Sequence, residues 1–128
     1  MKVAGRMRIV LVTCGTLTEG RRIAKKVVEK RLAACVNVML GPVESVYRWK
    51  GKVEKAREVL LLMKTSAKRL GELEKEVKRL HSYDVPEFIA VPIVEGEEKY
   101  LAWLEESVGQ TAVRGGERMA RKKRKSTD

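Results

Sequence analysis

The sequence predicts an α+β sandwich in which helices cover a β-sheet and the elements follow the order βαββαβ. Apolar runs of strand length alternate with amphipathic segments of helical period, and a Lys50-Gly51 turn joins two consecutive strands. With 128 residues, the chain has room for one compact domain. This element order is the one expected of a ferredoxin-like split βαβ fold, and one more amphipathic segment predicts an extra C-terminal helix.

The first third of the chain predicts a strand, a helix and a second strand. Residues Met7–Cys14 form a β-branched run that ends at Gly15, and this pattern indicates a strand. Thr18 is the predicted N-cap of a helix, whose apolar positions at helical spacing are Ile23, Ala24, Val27, Val28 and Leu32. Residues 34–40 return to strand character until Gly41-Pro42 interrupts them.

The middle of the chain predicts a long β-hairpin. Residues 43–49 form one arm, Lys50-Gly51 the turn, and residues 53–65 the second arm. At about 3.3 Å per residue the second arm would span about 40 Å, twice the usual strand length, so we expect part of it to overhang its own domain. Residues 59–63 are apolar at every position, which requires cover on both sheet faces. We therefore expect the chain to oligomerise through the face that its own helices leave open.

The last third predicts a helix, a strand and a final helix. Ser66 is the predicted cap of a helix over residues 67–80, whose apolar face holds Leu70, Leu73, Val77 and Leu80. Residues 88–94 predict the fourth strand, in which Pro92 is best tolerated at an edge of the sheet. A short helix over residues 97–108 follows, and a glycine ends it.

The positive charge of the chain is concentrated towards its end. Of the formal net charge of +11, residues 110–128 carry +5, from seven Lys or Arg against two acidic residues. We therefore divide the chain into a globular domain over residues 1–109 and a basic C-terminal tail over residues 110–128, of a composition that is commonly disordered. Contact of residues 121–125 with nucleic-acid phosphates is an alternative function, although such charge runs are more often only solvated.

The remaining general features point to a non-enzymatic protein of the cytoplasm. The start of the chain lacks the apolar core and cleavage site of a secretion signal, and no run reaches membrane-spanning length. In a reducing cytosol Cys14 and Cys35 are expected to be free thiols and not a disulfide. Glycine-rich phosphate loops, HExxH, GxSxG and paired CxxC motifs do not occur, which argues against an enzyme.

Several ordered motifs resemble one known family. They are Val12-Thr13-Cys14, residues 29–37, residues 47–52, Lys64-Thr65, residues 81–87 and residues 100–103. In this spacing they resemble the CutA divalent-cation-tolerance family over about residues 7–108. The resemblance implies a trimer of ferredoxin-like domains, similar to PII signalling proteins, with long hairpins that pair between subunits. It also implies an association with copper, as Cu²⁺, and with other divalent cations, but no established catalytic reaction.

Two positions depart from the pattern of that family. Gly15 stands where the family usually has a proline after the first cysteine, and Ser82 stands where it usually has a proline between the histidine and the tyrosine. The loss of the second proline frees the backbone after His81. We therefore expect other contacts to hold this segment.

His81, Cys14 and Glu87 are the predicted metal ligands. His81 is the only histidine, and an imidazole with a carboxylate or a thiolate suits copper or zinc. One histidine is too few for a tight site within one chain, so neighbouring subunits would have to contribute ligands. An ordinary hydrogen bond at a helix end is the role that we favour for His81. Packing is favoured for Cys35, whereas Cys14 is expected to be the more open thiol.

Aromatic and charged residues predict a ligand cleft at the subunit interface. Tyr47 and Trp49 alternate onto one face of the hairpin, where rigid aromatic side chains anchor an interface or line a cleft. If this hairpin lies over the loop after the second helix of another subunit, the two would form a pocket together with Lys64, Tyr83 and Pro86. Interface packing is the role that we favour for the aromatic pair. A scaffold that binds another protein or a small metabolite is a further alternative function.

Overall fold

The computed structural model describes residues 1–109 of the chain. Its strands are β1 Lys2–Val3, β2 Met7–Cys14, β3 Cys35–Val38, β4 Val43–Trp49, β5 Lys52–Ser66, β6 Ile89–Pro92 and β7 Glu95–Gly96. Its helices are α1 Leu17–Glu29, α2 Leu70–Leu80 and α3 Glu98–Ser107, and a short 3-10 helix, Ala67–Arg69, leads directly into α2. The predicted tail over residues 110–128, with its nucleic-acid contacts, lies outside this described part.

An antiparallel sheet in the order β3-β5-β2-β6 forms the body of the molecule. β2 pairs with β5 over its whole length, from Met7 opposite Ser66 to Cys14 opposite Val59, and with β6 on its other side. β3 pairs with the same half of β5 along its opposite edge. Pro92 lies in the edge strand β6, as predicted, where one side of the strand has no partner strand from the described residues 1–109.

Helices α1 and α2 pack on one face of this sheet. Their apolar stripes and the facing strand residues form the main core, which includes Val10, Val12, Ile23, Val27, Leu61, Met63, Leu73 and Val77. All of these side chains are 0% exposed. Since a fully buried aliphatic side chain contributes about 1.5–3 kcal/mol, this cluster is the main source of stability of the body.

The opposite face of the sheet is covered much less completely. Alternation along β2, β5 and β6 places on it the apolar residues Ile9, Leu11, Leu60, Leu62, Ile89 and Val91. Ile89 is 50% exposed and Val91 is 42% exposed. Residues 59–63 need cover on both faces of the sheet. In the single chain, only the face under the helices is completely covered.

The hairpin that the sequence predicts is formed by β4 and the first half of β5. The two strands pair over the whole of β4. Lys50 and Gly51 have φ angles of 51° and 83°, and two successive positive φ angles are typical of a type I′ turn. Residues 46–55 are all exposed, so the end of the hairpin overhangs the body as expected.

The N-cap of α1 is Thr16 and not the predicted Thr18. Thr16 has an extended backbone, and its Oγ1 accepts a hydrogen bond from the N–H of Glu19 at 3.1 Å. Both threonines precede the apolar stripe, and a hydroxyl at either position fits the capping pattern. The choice is made by the end of β2 at Cys14, which leaves only a short turn before the helix.

The start of α2 also differs from the prediction. Ser66 precedes the 3-10 helix, but its side chain makes no capping hydrogen bond. The N–H of Ala67 instead donates to the carbonyl oxygen of Arg6 at 2.8 Å. The chain before β2 thus satisfies the first donor of the 3-10 helix, and regular α-helix begins only at Leu70.

A second small sheet and a second core lie beside the body. β1 pairs with β7, and neither strand was predicted, because two residues are too few to show a periodic pattern. α3 packs in the same region, in a cluster of Ala4, Met7, Ala34, Leu101, Leu104 and Val108. Within residues 1–109, no helix has the length and apolar character needed to cross a bilayer.

Candidate functional site

A polar network lies at the base of the hairpin, where four elements meet. These are the end of β2, the first turn of α1, the middle of β5 and the loop that follows α2. The members of the network are Thr13, Glu19, Glu58, His81, Ser82 and Tyr83. Side-chain hydrogen bonds thus tie the loop to each of the other three elements.

His81 is buried at the centre of this network. Its Nε2 lies 2.7 Å from the carbonyl oxygen of Thr13, and the backbone N–H of Tyr83 donates to its Nδ1 at 3.0 Å. Since a carbonyl only accepts and an amide N–H only donates, the ring proton is on Nε2. Both ring nitrogens are therefore engaged, and the ordinary hydrogen-bonding role that we favoured for His81 is confirmed.

Tyr83 connects the loop to β5. Its ring centroid lies 4.7 Å from that of His81, and its hydroxyl donates to Oε2 of Glu58 at 2.8 Å. Glu58 is itself buried, although it belongs to a strand whose preceding residues are mostly exposed. Burial of Tyr83 and its hydrogen bond to Glu58 raise the pKa of the tyrosine. The phenol therefore keeps its proton, and remains a donor, at neutral pH.

Ser82 connects the loop to α1. Its backbone N–H donates to Oε2 of Glu19 at 2.7 Å, and its Oγ donates to Oε1 at 2.9 Å. A proline at this position would lack the N–H. The departure from the family pattern thus adds hydrogen bonds, and the expectation that other contacts hold this segment is confirmed. At the other departure, a Cβ on Gly15 would lie 3.4 Å from the hydroxyl oxygen of Tyr83, within ordinary van der Waals contact.

The two thiols differ from the prediction in their exposure. Cys14 is fully buried in the main core, because its position at the end of β2 faces the helices. Burial raises its pKa to about 12, and the nearby carboxylates of Glu19 and Glu58 add to the shift. Cys35 on the edge strand β3 is partly exposed, so it is the more open of the pair. Both are free, as predicted.

The predicted metal ligands do not form a closed site within one chain. No group of three or more His, Cys, Asp or Glu side chains in residues 1–109 is arranged to hold a metal ion. Cys14 is protonated at neutral pH, and a thiol binds metals as its thiolate. Both nitrogens of His81 have partners, and Glu87 is exposed. The donor set of a single chain therefore does not fit a tightly held metal, and the set stays a prediction for an assembly.

The predicted cleft residues lie in different parts of one chain. Tyr47 is close enough to Tyr83 to contribute electrostatically to its raised pKa. Trp49 is exposed at the tip of the hairpin, whereas Lys64 hydrogen-bonds to an asparagine of β3 near the other end of β5. Pro86 is partly buried in the loop after α2. Within residues 1–109, the two tyrosines thus interact with each other, Pro86 belongs to the same loop as Tyr83, and Trp49 and Lys64 lie towards opposite ends of β5.

Glu19 and Glu58 are the network members that the sequence did not indicate. Glu58 is the last charged residue before the apolar run 59–63, and this position was its only signal. An acidic residue on a surface strand or in a first helical turn is usually solvated, so neither pattern predicts a buried acceptor. Only the packing of the loop after α2 covers both carboxylates.

The fold and the network define an α+β protein with an antiparallel sheet, an exposed hairpin and a polar network at the hairpin base. Comparison with known proteins identifies its family. The chain belongs to the family of the CutA1 divalent ion tolerance protein, whose family model matches residues 8–107. The predicted family resemblance is therefore confirmed.

Individual relatives agree with this assignment. The divalent-cation tolerance protein CutA of Thermus thermophilus is 48% identical over 101 residues, which cover 79% of this chain and 97% of that protein. The chloroplastic protein CutA of Arabidopsis thaliana is 46% identical over 99 residues, 77% of this chain but 54% of that longer protein. The crystal structure of CutA1 from Oryza sativa superposes with a TM-score of 0.79 at 43% identity, covering 86% of this chain and 98% of that one.

Proposed function

We propose that this protein acts in divalent-cation tolerance as a homotrimer of ferredoxin-like subunits. The family match over residues 8–107 is the observation that carries the proposal. The strand order β3-β5-β2-β6 with two helices on one face supports the ferredoxin-like assignment. In this proposal the protein works in the cytoplasm by binding and signalling, in a manner similar to PII proteins, and catalyses no reaction.

The exposed apolar surface supports the assembly. The open sheet face carries Ile89 and Val91, and the hairpin carries Val46, Tyr47, Trp49 and Val53, all exposed in the single chain. Soluble monomers rarely expose contiguous apolar patches of this kind. Closed rings with identical interfaces are the usual way in which homo-oligomers cover such surfaces.

The charge of the network supports a role for cations. The carboxylates of Glu19 and Glu58 both lie near Cys14, since both raise the pKa of its thiol. No Lys or Arg in residues 1–109 forms an ion pair with either carboxylate, although the chain carries a net charge of +11. Carboxylate oxygens are suitable donors for divalent cations, whereas both nitrogens of His81 are already hydrogen-bonded. We propose that ligands from a neighbouring subunit complete a site beside this network.

Native mass spectrometry at micromolar concentration tests the assembly. We expect a trimer for the wild-type chain. Ile89→Asp places a charge on the open sheet face and should shift the distribution to monomer. Val28→Asp is the matched control, because Val28 is a partly exposed apolar residue of α1, on the helix side of the sheet. A wild-type chain that is folded and monomeric would contradict the proposed assembly.

Calorimetric titration with Cu²⁺ tests the cation site on the assembled protein. We expect binding that weakens at least tenfold in Glu19→Gln and in Glu58→Gln. Glu54→Gln is the control, because it removes an exposed carboxylate of the same strand. Equal affinity in all variants would reject these ligands, and circular dichroism of each variant verifies that the fold is intact.

A further inference from the structure

Glu58 occupies the junction between the hairpin and the body. It pairs with Val43, the first residue of β4, while the next residue of β5, Val59, pairs with Cys14 of β2. The strand therefore exchanges its partner at this point. The only side-chain hydrogen bond to Glu58 in residues 1–109 comes from the hydroxyl of Tyr83.

The hairpin beyond this junction has little support from its own body. Among residues 1–109, β4 pairs with no strand other than β5, and residues 46–55 are all exposed. An isolated two-stranded ribbon is only marginally stable in water. Contacts at the base therefore decide the direction in which the hairpin leaves the sheet.

Tyr83, in contrast, is held firmly in place. Its ring lies against His81, which is hydrogen-bonded to the backbone of β2, and its N–H donates to the same histidine. The preceding residue, Ser82, makes two hydrogen bonds to Glu19 of α1. The tyrosine hydroxyl is thus a fixed donor, anchored to the body through β2 and α1.

We propose that Tyr83 is a positioning residue for the hairpin: its hydrogen bond to Glu58 fixes the hairpin base against the body and presents the apolar hairpin residues to a second copy of the chain. The part that concerns a second copy rests on the proposed assembly. The fixed base itself is a property of the single chain. His81 and Ser82 have a supporting role, because they hold the tyrosine in place.

Hydrogen–deuterium exchange of the full chain tests this proposal. Tyr83→Phe removes only the hydroxyl and keeps the ring against His81. We expect the amides of residues 43–46 and 55–58 to exchange about tenfold faster or more, because a hydrogen bond to a charged group is lost. The amides of residues 60–65 should keep their protection, since β2 and β3 pair with that half of the strand.

Variants at the acceptor provide the controls. Glu58→Ala should reproduce the effect of Tyr83→Phe, whereas Glu58→Gln keeps an acceptor oxygen and should stay closer to the wild type. Glu54→Ala removes an exposed carboxylate of the same strand and should leave exchange unchanged. Wild-type exchange at the hairpin base in Tyr83→Phe would overturn the proposal. An equal increase over residues 60–65 would also overturn it, because the effect would then be a general loss of stability.

Sedimentation of the same samples separates this proposal from the proposed function. We expect Tyr83→Phe to weaken assembly at least tenfold in its dissociation constant. If the wild-type chain is monomeric, the proposed trimer fails, while the exchange data still decide whether the tyrosine fixes the hairpin base. If Tyr83→Phe assembles as the wild type does, positioning for a second copy is rejected, whatever the state of the metal site.

Discussion

The two halves of β5 form one continuous strand but lie in very different surroundings. Residues 59–66 pair with β2 on one side, and residues 61–64 also pair with β3 on the other. Alternate side chains of this half are buried under the helices. In the described part of the chain, residues 52–58 pair only with β4, and Val53 is 65% exposed. The backbone pairing is antiparallel in both halves. The difference in burial therefore follows from the neighbouring elements together with the apolar sequence of residues 59–63, and not from the backbone pairing.

This comparison shows that forming a strand and having its side chains covered by neighbouring elements are separate properties. The body half is stabilised by contacts that its own chain provides. The hairpin half presents apolar side chains that residues 1–109 of the same chain leave uncovered. In the proposed trimer a neighbouring subunit provides that cover. Substitutions in the two halves should therefore differ in size and in their dependence on protein concentration.

The largest difference is expected between Leu61→Ala and Val53→Ala. Leu61 is 0% exposed in the main core, so its truncation should lower the free energy of unfolding by about 2–5 kcal/mol. Val53→Ala should change the stability of the single chain by less than about 0.5 kcal/mol. Chemical denaturation at the lowest workable concentration measures both. Equal losses would show that the hairpin is as firmly packed as the body.

A smaller effect is expected at the turn of the hairpin. Gly51 has a φ of 83°, and an alanine there should lower the free energy of unfolding by about 1 kcal/mol because its Cβ is strained in the left-handed region. Gly41→Ala is the matched control, because Gly41 has open space around it and lacks a positive φ. Denaturation at one fixed concentration compares them. A loss as large in Gly41→Ala would contradict the assigned cause.

The smallest effect concerns the electrostatic contact between the helices of the body. Glu76 of α2 accepts from Arg79 at 2.7 Å and from Lys30 of α1 at 3.0 Å. Its hydrogen bonds to Arg79 and Lys30 lower its pKa from 4.5 to about 2. The stabilisation is therefore complete above pH 4.5 and is lost as the pH falls towards 2. We expect about 0.5 kcal/mol, since both cations are partly exposed.

The variant Glu76→Gln isolates this contribution. It should be less stable than the wild type near pH 6, and the difference should shrink between pH 4.5 and 2. Denaturation curves across that range measure it. A constant difference at all pH values would mean that packing, and not the charge of Glu76, is responsible. The result sharpens the comparison, because the exposed hairpin contains no buried carboxylate of this kind before Glu58.

Local patterns predicted most of the main elements correctly. The β-branched run of β2, the amphipathic stripe of α1 and the turn at Lys50-Gly51 each depend on residues close in sequence, and each was found in place. The errors lie at element ends and in very short elements. Thr18 was wrong as the N-cap, because the pattern could not decide between neighbouring threonines. β1 and β7 were missed, because they exist only through their pairing with each other.

The polar network was predicted only in part. His81 and Tyr83 were singled out because an unusual residue type and a family motif marked them. Their acceptors and neighbours were not, since Glu58 comes from a strand more than twenty positions away and Thr13 contributes only its backbone carbonyl. The exposure of Cys14 was wrong for a related reason. Alternation shows that successive side chains of a strand lie on opposite faces of the sheet. It does not show which face the helices cover and bury.

The sequence by itself determined the α+β class, the order of the elements, the overhanging hairpin and the family, because periodicity, turn chemistry and ordered motifs are written along the chain. The tertiary structure alone decided which side chains meet at the base of the hairpin. Burial of Glu58 under Tyr83 depends on a loop folding across the ends of two strands, and such a contact joins residues that no local pattern relates. Hydrogen bonds between residues far apart in the chain depend on tertiary packing, and the spacing of residues in the sequence does not predict that packing.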